Sequence, residues 1–338
     1  MAGQRYGVWS ARLTPWLILL IGLGLFVTLG IRRLINDWLI DKPVVSIPAQ
    51  YSPVDASGPV DASGPVDASG PVDASGPVDA SGPVAQPETP YDAHPLDEVL
   101  SLANTMMQTH RLEHQSYRAV IRKRERIGKQ LGPESKMAIK LRYREPQTDD
   151  GLRAIDVYLK FLEPKSQSGR EVIWRQGIHD DLMVVHESGL LNITRLELSP
   201  TSRLAMLGNR YPVSQIGIER LLAKLLAKGN RDRALGQCQV SMTEPVEVAG
   251  RACKRIEVCH PTREVIVGDQ TLDHEFHKAI IDIDLEFGIP IRYASYMWPE
   301  VSGGDPVLDE EFVYENLELD VALEDQDFDP DNPAYNYP

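Results

Sequence analysis

The feature that most constrains this chain is a six-residue repeat. Residues 53–82 are five identical copies of Pro-Val-Asp-Ala-Ser-Gly, followed by Pro83-Val84. Each copy offers one small apolar side chain, too little buried surface to offset the entropy of ordering the backbone around it. A period of six is also too short for a helical solenoid. The repeat is expected to be a disordered tether, and no single hydrophobic core can run through it. With its flanks it occupies residues 36–90, so residues 91–338 must carry the fold. Proline stiffens each unit and Ser-Gly loosens it. Random-coil scaling gives Pro43–Pro90 a mean reach of roughly 35–45 Å.

On the other side of the tether, residues 1–14 form a short tail and residues 15–35 read as a transmembrane helix. From Pro15 to Ile31 there is no charge, and at ~1.5 Å per residue this run is roughly 25 Å long. Leu34, Ile35, Trp38 and Leu39 continue the apolar face. Arg32 and Arg33 can snorkel, and Trp16 and Trp38 are placed as interfacial anchors. Thr28-Leu29-Gly30 imitates a signal-peptidase site poorly, with two arginines directly after it, so an uncleaved anchor is expected. Arg5 and Arg12 on one side balance Arg32 and Arg33 on the other. The short tail and long C-terminal part favour an N-in orientation with residues 91–338 exported.

Those residues carry the marks of one globular domain. His94-Pro95-Leu96-Asp97-Glu98 is a helix start, with proline in the first turn and acids near the positive helix end. Leu96, Val99, Leu100, Ala103, Met106, Met107 and His110 then recur at helical spacing to about Leu112. Beyond this the period changes to two: Tyr117, Ala119 and Ile121 alternate with Arg118 and Arg122, and Ile155, Val157, Leu159 and Phe161 with Asp156 and Lys160. Ile281, Ile283, Leu285 and Phe287 face one way, Asp282, Asp284 and Glu286 the other. Val172–Trp174, Leu182–Val185, Leu190–Leu196, Val240–Met242, Cys253–Cys259, Ile289–Met297 and Phe312–Leu323 are further strand candidates. A second helix is expected over Ser214–Lys228, capped by Ser214 and closed by Gly229. Strands one connection apart, each wet on one face, predict an antiparallel meander. The expected class is α+β, mainly antiparallel β: a curved, unclosed barrel with two packed helices.

The order of these elements, with Phe161-Leu162-Glu163-Pro164 followed by Gly169, Asp284-Leu285-Glu286-Phe287-Gly288-Ile289-Pro290-Ile291 and a terminal Asp327-Phe328-Asp329-Pro330, resembles the outer-membrane lipoprotein carrier and receptor superfamily (LolA/LolB-like, with RseB as a relative). Residues 91–338 are also similar to an uncharacterised family of exported, membrane-anchored bacterial proteins with a comparable acidic, proline-containing tail. The resemblance implies an unclosed β-barrel whose concave apolar face takes up a lipid or lipoprotein acyl chain. It also implies a location at the bacterial inner membrane with a periplasmic domain. The expected ligand-lining residues are Met106, Met107, Val157, Leu159, Phe161, Ile281, Ile283 and Leu285. The alternative is an envelope sensor or protein-interaction module with a dry core, since the same alternation fills an ordinary core.

Chemistry finds few footholds. A formal charge of −14 speaks against nucleic acid. Glu300–Pro338 holds no Lys or Arg, whereas Arg118–Arg144 is rich in them. That basic run either meets anionic head groups or an acidic partner, or balances the acidic C-terminal segment inside the fold. Asp325, Asp327, Asp329 and Asp331 begin like a calcium loop, but Pro330 stands where that loop needs glycine and Asn336 where it needs glutamate. An acidic solvated tail is the favoured reading. Cys259, His260, His274 and His277 can be drawn as a zinc site on paper, yet lie at no ligand spacing, and no metal is expected. A hairpin placing Cys238 opposite Cys259 would permit a disulfide; three buried thiols is the preferred reading. No Gly-x-Ser-x-Gly, P-loop or dinucleotide fingerprint is present, and neither a catalytic residue nor a cofactor is expected.

Overall fold

The computed structural model describes residues 94–338 except 190–192, 237 and 302. The expected membrane helix and tether lie outside these residues. Among the described residues no helix is long and apolar enough to cross a membrane.

The first helix, α1 (Leu96–Glu113), buries Leu96, Leu100, Ala103, Met106, Met107 and His110, the stripe read from the sequence. The strands β1 (Ser116–Ile127), β2 (Gln130–Leu131), β3 (Ser135–Gln147), β4 (Arg153–Glu163), β5 (Glu171–Arg175), β6 (Met183–His186) and β7 (Leu196–Leu198) follow. Next comes helix α2 (Ile218–Leu235). Then come β8 (Gln239–Val248), β9 (Arg251–Cys259), β10 (Glu264–Val267), β11 (Gln270–Asp273), β12 (Lys278–Asp284), β13 (Pro290–Met297) and β14 (Val307–Leu319). Twelve strands form one sheet in the order β7-β6-β5-β4-β3-β1-β14-β13-β12-β9-β8, with β2 on β1 and with β7 and β8 unjoined at its ends; β10 and β11 form a separate hairpin. Every pairing is antiparallel. The sheet is unclosed, and the C-terminal strand sits in its middle.

The second helix starts and ends later than the sequence suggested. Ser214 belongs to a short 3-10 turn, Val213–Gln215, and α2 begins after Gly217, whose φ of 117° suits glycine. Gly229 lies inside α2. A Cβ there would stand 2.8 Å from Leu100 Cδ2, so this glycine permits close approach of the two helices. Gly236, at φ 134°, follows the last helical residue.

The outer face of the sheet also departs from expectation. Asp156 and Asp282 are fully buried and Asp284 nearly so, because arginines lie over them. Arg142 and Arg144 reach Asp156 at 2.6 and 2.8 Å, Arg255 and Arg292 reach Asp282 at 2.7 and 2.9 Å, and Arg251 pairs with Asp284. Alternation made these acids look solvated. Guanidinium groups satisfy their lone pairs while the arginine stems exclude water.

The acidic C-terminal segment is likewise part of the fold. It runs through the turn Asp325–Phe328 and packs on the outer face of β4–β6. Phe328 is 1% exposed beside Tyr158 and Ile173, Tyr335 stacks on Tyr158 with ring centroids 4.1 Å apart, and Tyr337 donates to Val184 O at 3.2 Å. The basic run therefore balances it: Lys140 pairs with Asp327 at 2.6 Å, Arg142 with Asp325 at 2.6 Å, and Arg122 with Glu315 at 2.8 Å. Burial is the largest single influence and would raise the Asp327 carboxyl, but the Lys140 bond, the Glu324 backbone amide and the charges of Lys140 and Arg142 together outweigh it, and the net shift is downward.

Cys238, Cys253 and Cys259 are free thiols. Gln239, not Cys238, lies opposite Cys259. One position of register turns a side chain to the other face, which removes the basis for pairing the two.

Candidate functional site

On the inner face, β4 presents Val157, Leu159 and Phe161, and β3 presents Met137, Ile139 and Leu141, because successive side chains alternate across the sheet. Of these, Met137, Leu159 and Phe161, with Tyr293 of β13 and Glu310, Phe312 and Tyr314 of β14, line a cavity of about 490 Å³ beneath α2. Residues from β6 (Met183, Val185) and from β13 (Tyr293) line the same space. Six inter-strand spacings separate those strands in the sheet order, roughly 29 Å if the sheet were flat. The sheet must curl to bring them together.

Leu221, Leu225, Lys224 and Lys228 of α2 form the cavity's second wall, and the segment Pro200–Gly217 its rim. Two leucines of that rim, Leu204 and Leu207, are 57% and 76% exposed. Polar groups gather at one end. Glu310 is 1% exposed, and among the described residues neither of its carboxylate oxygens has a hydrogen-bond partner. Arg210 Nε is 3.9 Å and Lys228 Nζ 4.0 Å away. Lys224 lies 3.1 Å from the Tyr211 ring centroid; burial brings it down to about 8, with nearby Glu310 opposing and Lys228 and Arg210 reinforcing the shift. A buried carboxylate without hydrogen bonds, beside a readily discharged amine, is equipped to receive a ligand group that donates hydrogen bonds.

The residues singled out from the sequence divide among several places. Leu159 and Phe161 line the large cavity. Met106, Ile281 and Ile283 line a smaller space of about 50 Å³ between α1 and β9–β12. Val157 and Met107 are buried in the common core. Leu285 is a correction: β12 ends at Asp284, the chain turns, and Leu285 is 49% exposed. The turn forms because Asp284 Oδ1 accepts the amides of Glu286 and Phe287 at 2.9 and 2.8 Å, which ends the alternation before Leu285. Lys224, Tyr211 and Glu310 escaped the sequence reading; their signal was a lysine within the apolar stripe of α2 and a glutamate at an inward position of β14.

A polar network fixes the mouth of α2. Glu219, fully buried in its first turn, accepts from Arg153 Nε at 2.8 Å, the Arg153 amide at 3.1 Å and Arg111 Nε at 2.9 Å. His110 Nε2 lies 3.0 Å from the Tyr143 hydroxyl, and burial, reinforced by Arg153, holds His110 down to about 3.

At the other end of α2, Asp232, His260 and His274 are brought together, all buried, each offering one ligand atom within 4.8 Å of the others. Cys259 and His277, considered with these histidines, do not join them. His277 Nδ1 is 2.9 Å from His260 O.

No curated protein matches the sequence. Solved structures do. A DUF1329 family protein from Desulfovibrio piger shares 13% identity over 70% of this chain and 98% of its own, with a TM-score of 0.33. A MucA/MucB complex from Pseudomonas aeruginosa matches at 14% identity, covering 69% of this chain and 60% of that one, TM-score 0.37. A LolA superfamily protein from Nitrosomonas europaea matches at 11% identity, covering 70% and 98%, TM-score 0.25. The superfamily that the sequence resembles is thus represented among these structures. The family model described as "Protein of unknown function (DUF1571)" matches residues 114–337, about two thirds of the 338 residues, and the chain belongs to the DUF1571 family.

Proposed function

We propose that this protein is a non-enzymatic binding protein of the bacterial cell envelope that holds a lipid or lipoprotein acyl chain in the half-open sheet. It is held at the inner membrane by residues 15–35, with its domain on the periplasmic side. The observation that carries the reading is the cavity. Its volume of about 490 Å³ falls in the roughly 300–1,000 Å³ range of small-molecule sites. Its walls are mainly apolar, its rim carries exposed leucines, and Glu310, Lys224 and Lys228 come together on one side of it. That division suits an amphiphile: the chain lies between α2 and β4–β6, and a donor-bearing head reaches Glu310 and Lys224.

Residues 83–338 form a compact unit and can be exported to a bacterial periplasm free of the anchor. Native mass spectrometry with lipid extraction should find about one lipid per chain. Ala205→Trp and Leu225→Trp, which fill the cavity from its rim and from α2, should abolish retention while leaving the circular dichroism spectrum intact. A bare mass after incubation with envelope lipids, or undiminished lipid in both folded variants, would overturn the reading.

A further inference from the structure

We propose that Asp232, His260 and His274 form a divalent metal site for zinc or a similar borderline cation, built to pin the β10–β11 hairpin to α2 and β9. The argument starts from hydrogen bonds that are not made. His260 is fully buried and His274 is 5% exposed, yet among the described residues His260 Nε2 and His274 Nδ1 have no hydrogen-bond partner. The Asp232 Oδ1 stands 4.0 and 3.9 Å from them, beyond hydrogen-bonding reach. Two buried imidazole nitrogens and a carboxylate converge on a point without satisfying one another. A buried polar group left in this way costs about 1–3 kcal/mol, and here two such nitrogens face one carboxylate.

Their chemistry fits a cation. The His260 Nδ1 lies 3.2 Å from Phe276 O, so it carries the proton and the Nε2 lone pair faces the cluster. A backbone carbonyl fixing the tautomer of a ligating histidine is the usual outer-shell arrangement. Two nitrogens and one oxygen make a donor set suited to zinc, with a fourth position for water. Tetrahedral bonds of about 2.0–2.2 Å place ligand atoms roughly 3.3–3.5 Å apart, so the two histidine–aspartate spacings must contract by about half an ångström. The rings, stacked 3.9 Å apart and 18° from parallel, must also splay, because a metal lies in the plane of each imidazole it binds. His274 follows the last residue of the β10–β11 hairpin, which lies outside the main sheet, and rotation of its ring leaves that sheet undisturbed. The three ligands come from the last turns of α2, the end of β9 and the end of the hairpin, so one ion joins elements that strand pairing does not connect.

The test is titration of the purified full-length chain, stripped with a chelator, with Zn²⁺ and with Co²⁺. One equivalent should bind, Co²⁺ should give the intense visible bands of a four-coordinate site, and Zn²⁺ at about 100 times Kd should raise Tm by about 5–10 °C. His274→Ala and the near-isosteric Asp232→Asn should lose the Tm rise and at least tenfold in affinity. His277→Gln, beside the site but outside it, should retain both. Absence of stoichiometric binding by the wild type would overturn the proposal. So would equal binding by folded Asp232→Asn, which keeps the shape of the site and removes its charge. The cavity and its lipid play no part in the measurement, so this result stands apart from the functional reading.

Discussion

Truncating Phe328 should destabilise the domain strongly, although the residue lies in a segment that reads as a solvated acidic tail. Its ring is 1% exposed against Tyr158 and Ile173, with the Arg142 guanidinium 5.0 Å from the ring centroid. Full burial of such a ring contributes about 1.5–3 kcal/mol, and deleting it from a well-packed site costs about 3–5 kcal/mol. This cluster is a satellite edged by half-buried Leu323, Tyr335 and Tyr337, which can collapse inward, so Phe328→Ala should cost about 3 kcal/mol. For a domain of this size that is a fall in Tm of about 6–12 °C. Asp331→Ala, with the native side chain 74% exposed in a surface pair with Arg195, should stay within about 1 kcal/mol. Thermal and urea unfolding of residues 83–338, followed by circular dichroism, measures both. A Phe328→Ala shift no larger than that of Asp331→Ala would show that the segment is not packed on β4–β6 in solution.

Three further outcomes are expected. Glu219→Ala leaves Arg153, whose side chain is 4% exposed, without its carboxylate; the loss should be about 3–5 kcal/mol, seen in urea midpoints, with Arg153→Met/Glu219→Leu recovering much of it. His110, held down to about 3 by burial and reinforced by Arg153, His114 and Arg111 against Asp320, is neutral in the fold but protonates in the unfolded chain near pH 6.5. Its contribution is therefore fully present above pH 6.5 and lost as pH falls towards 3, with a limiting slope of about 1.4 kcal/mol per pH unit. His110→Gln should flatten that acid limb by about one proton, as read from urea midpoints against pH. Gly217→Ala should destabilise despite its small size, because Gly217 holds φ 117° and the added Cβ would stand 3.0 Å from Leu141 Cδ1; an unchanged Tm would refute this.

Much of the inner face was legible from alternation, which reports which face of a strand is apolar. The stripe of α1 and the inward residues of β4 and β12 as far as Ile283 follow that rule. β3 was read only as a basic run, although Met137, Ile139, Leu141 and Tyr143 alternate with its charges. What alternation does not report is what covers the other face. Asp156 and Asp282 looked wet because their covering arginines and the C-terminal segment are distant in sequence or on neighbouring strands. Leu285 looked inward because the pattern continues through a turn created by Asp284. The Asp232–His260–His274 cluster was illegible for a topological reason: its members come from a helix, a sheet strand and a separate hairpin, and sequence spacing says nothing about where those ends meet.

The central place of β14 sets the order in which this sheet can come into being. β1 lies between β3 and β14, so until Val307–Leu319 has been made, β1 offers a bare edge of backbone donors and acceptors. Such an edge invites pairing with other chains, and closing it requires contacts between residues about 200 positions apart, as in Arg118 with Glu318, which slows folding. The two half-sheets, β1–β7 on one side and β8, β9, β12 and β13 on the other, can each meander locally, but only arrival of β14 joins them. A chain shortened before Val307 would hold two unjoined halves, and folding of the DUF1571 domain becomes a checkpoint on synthesis through β14.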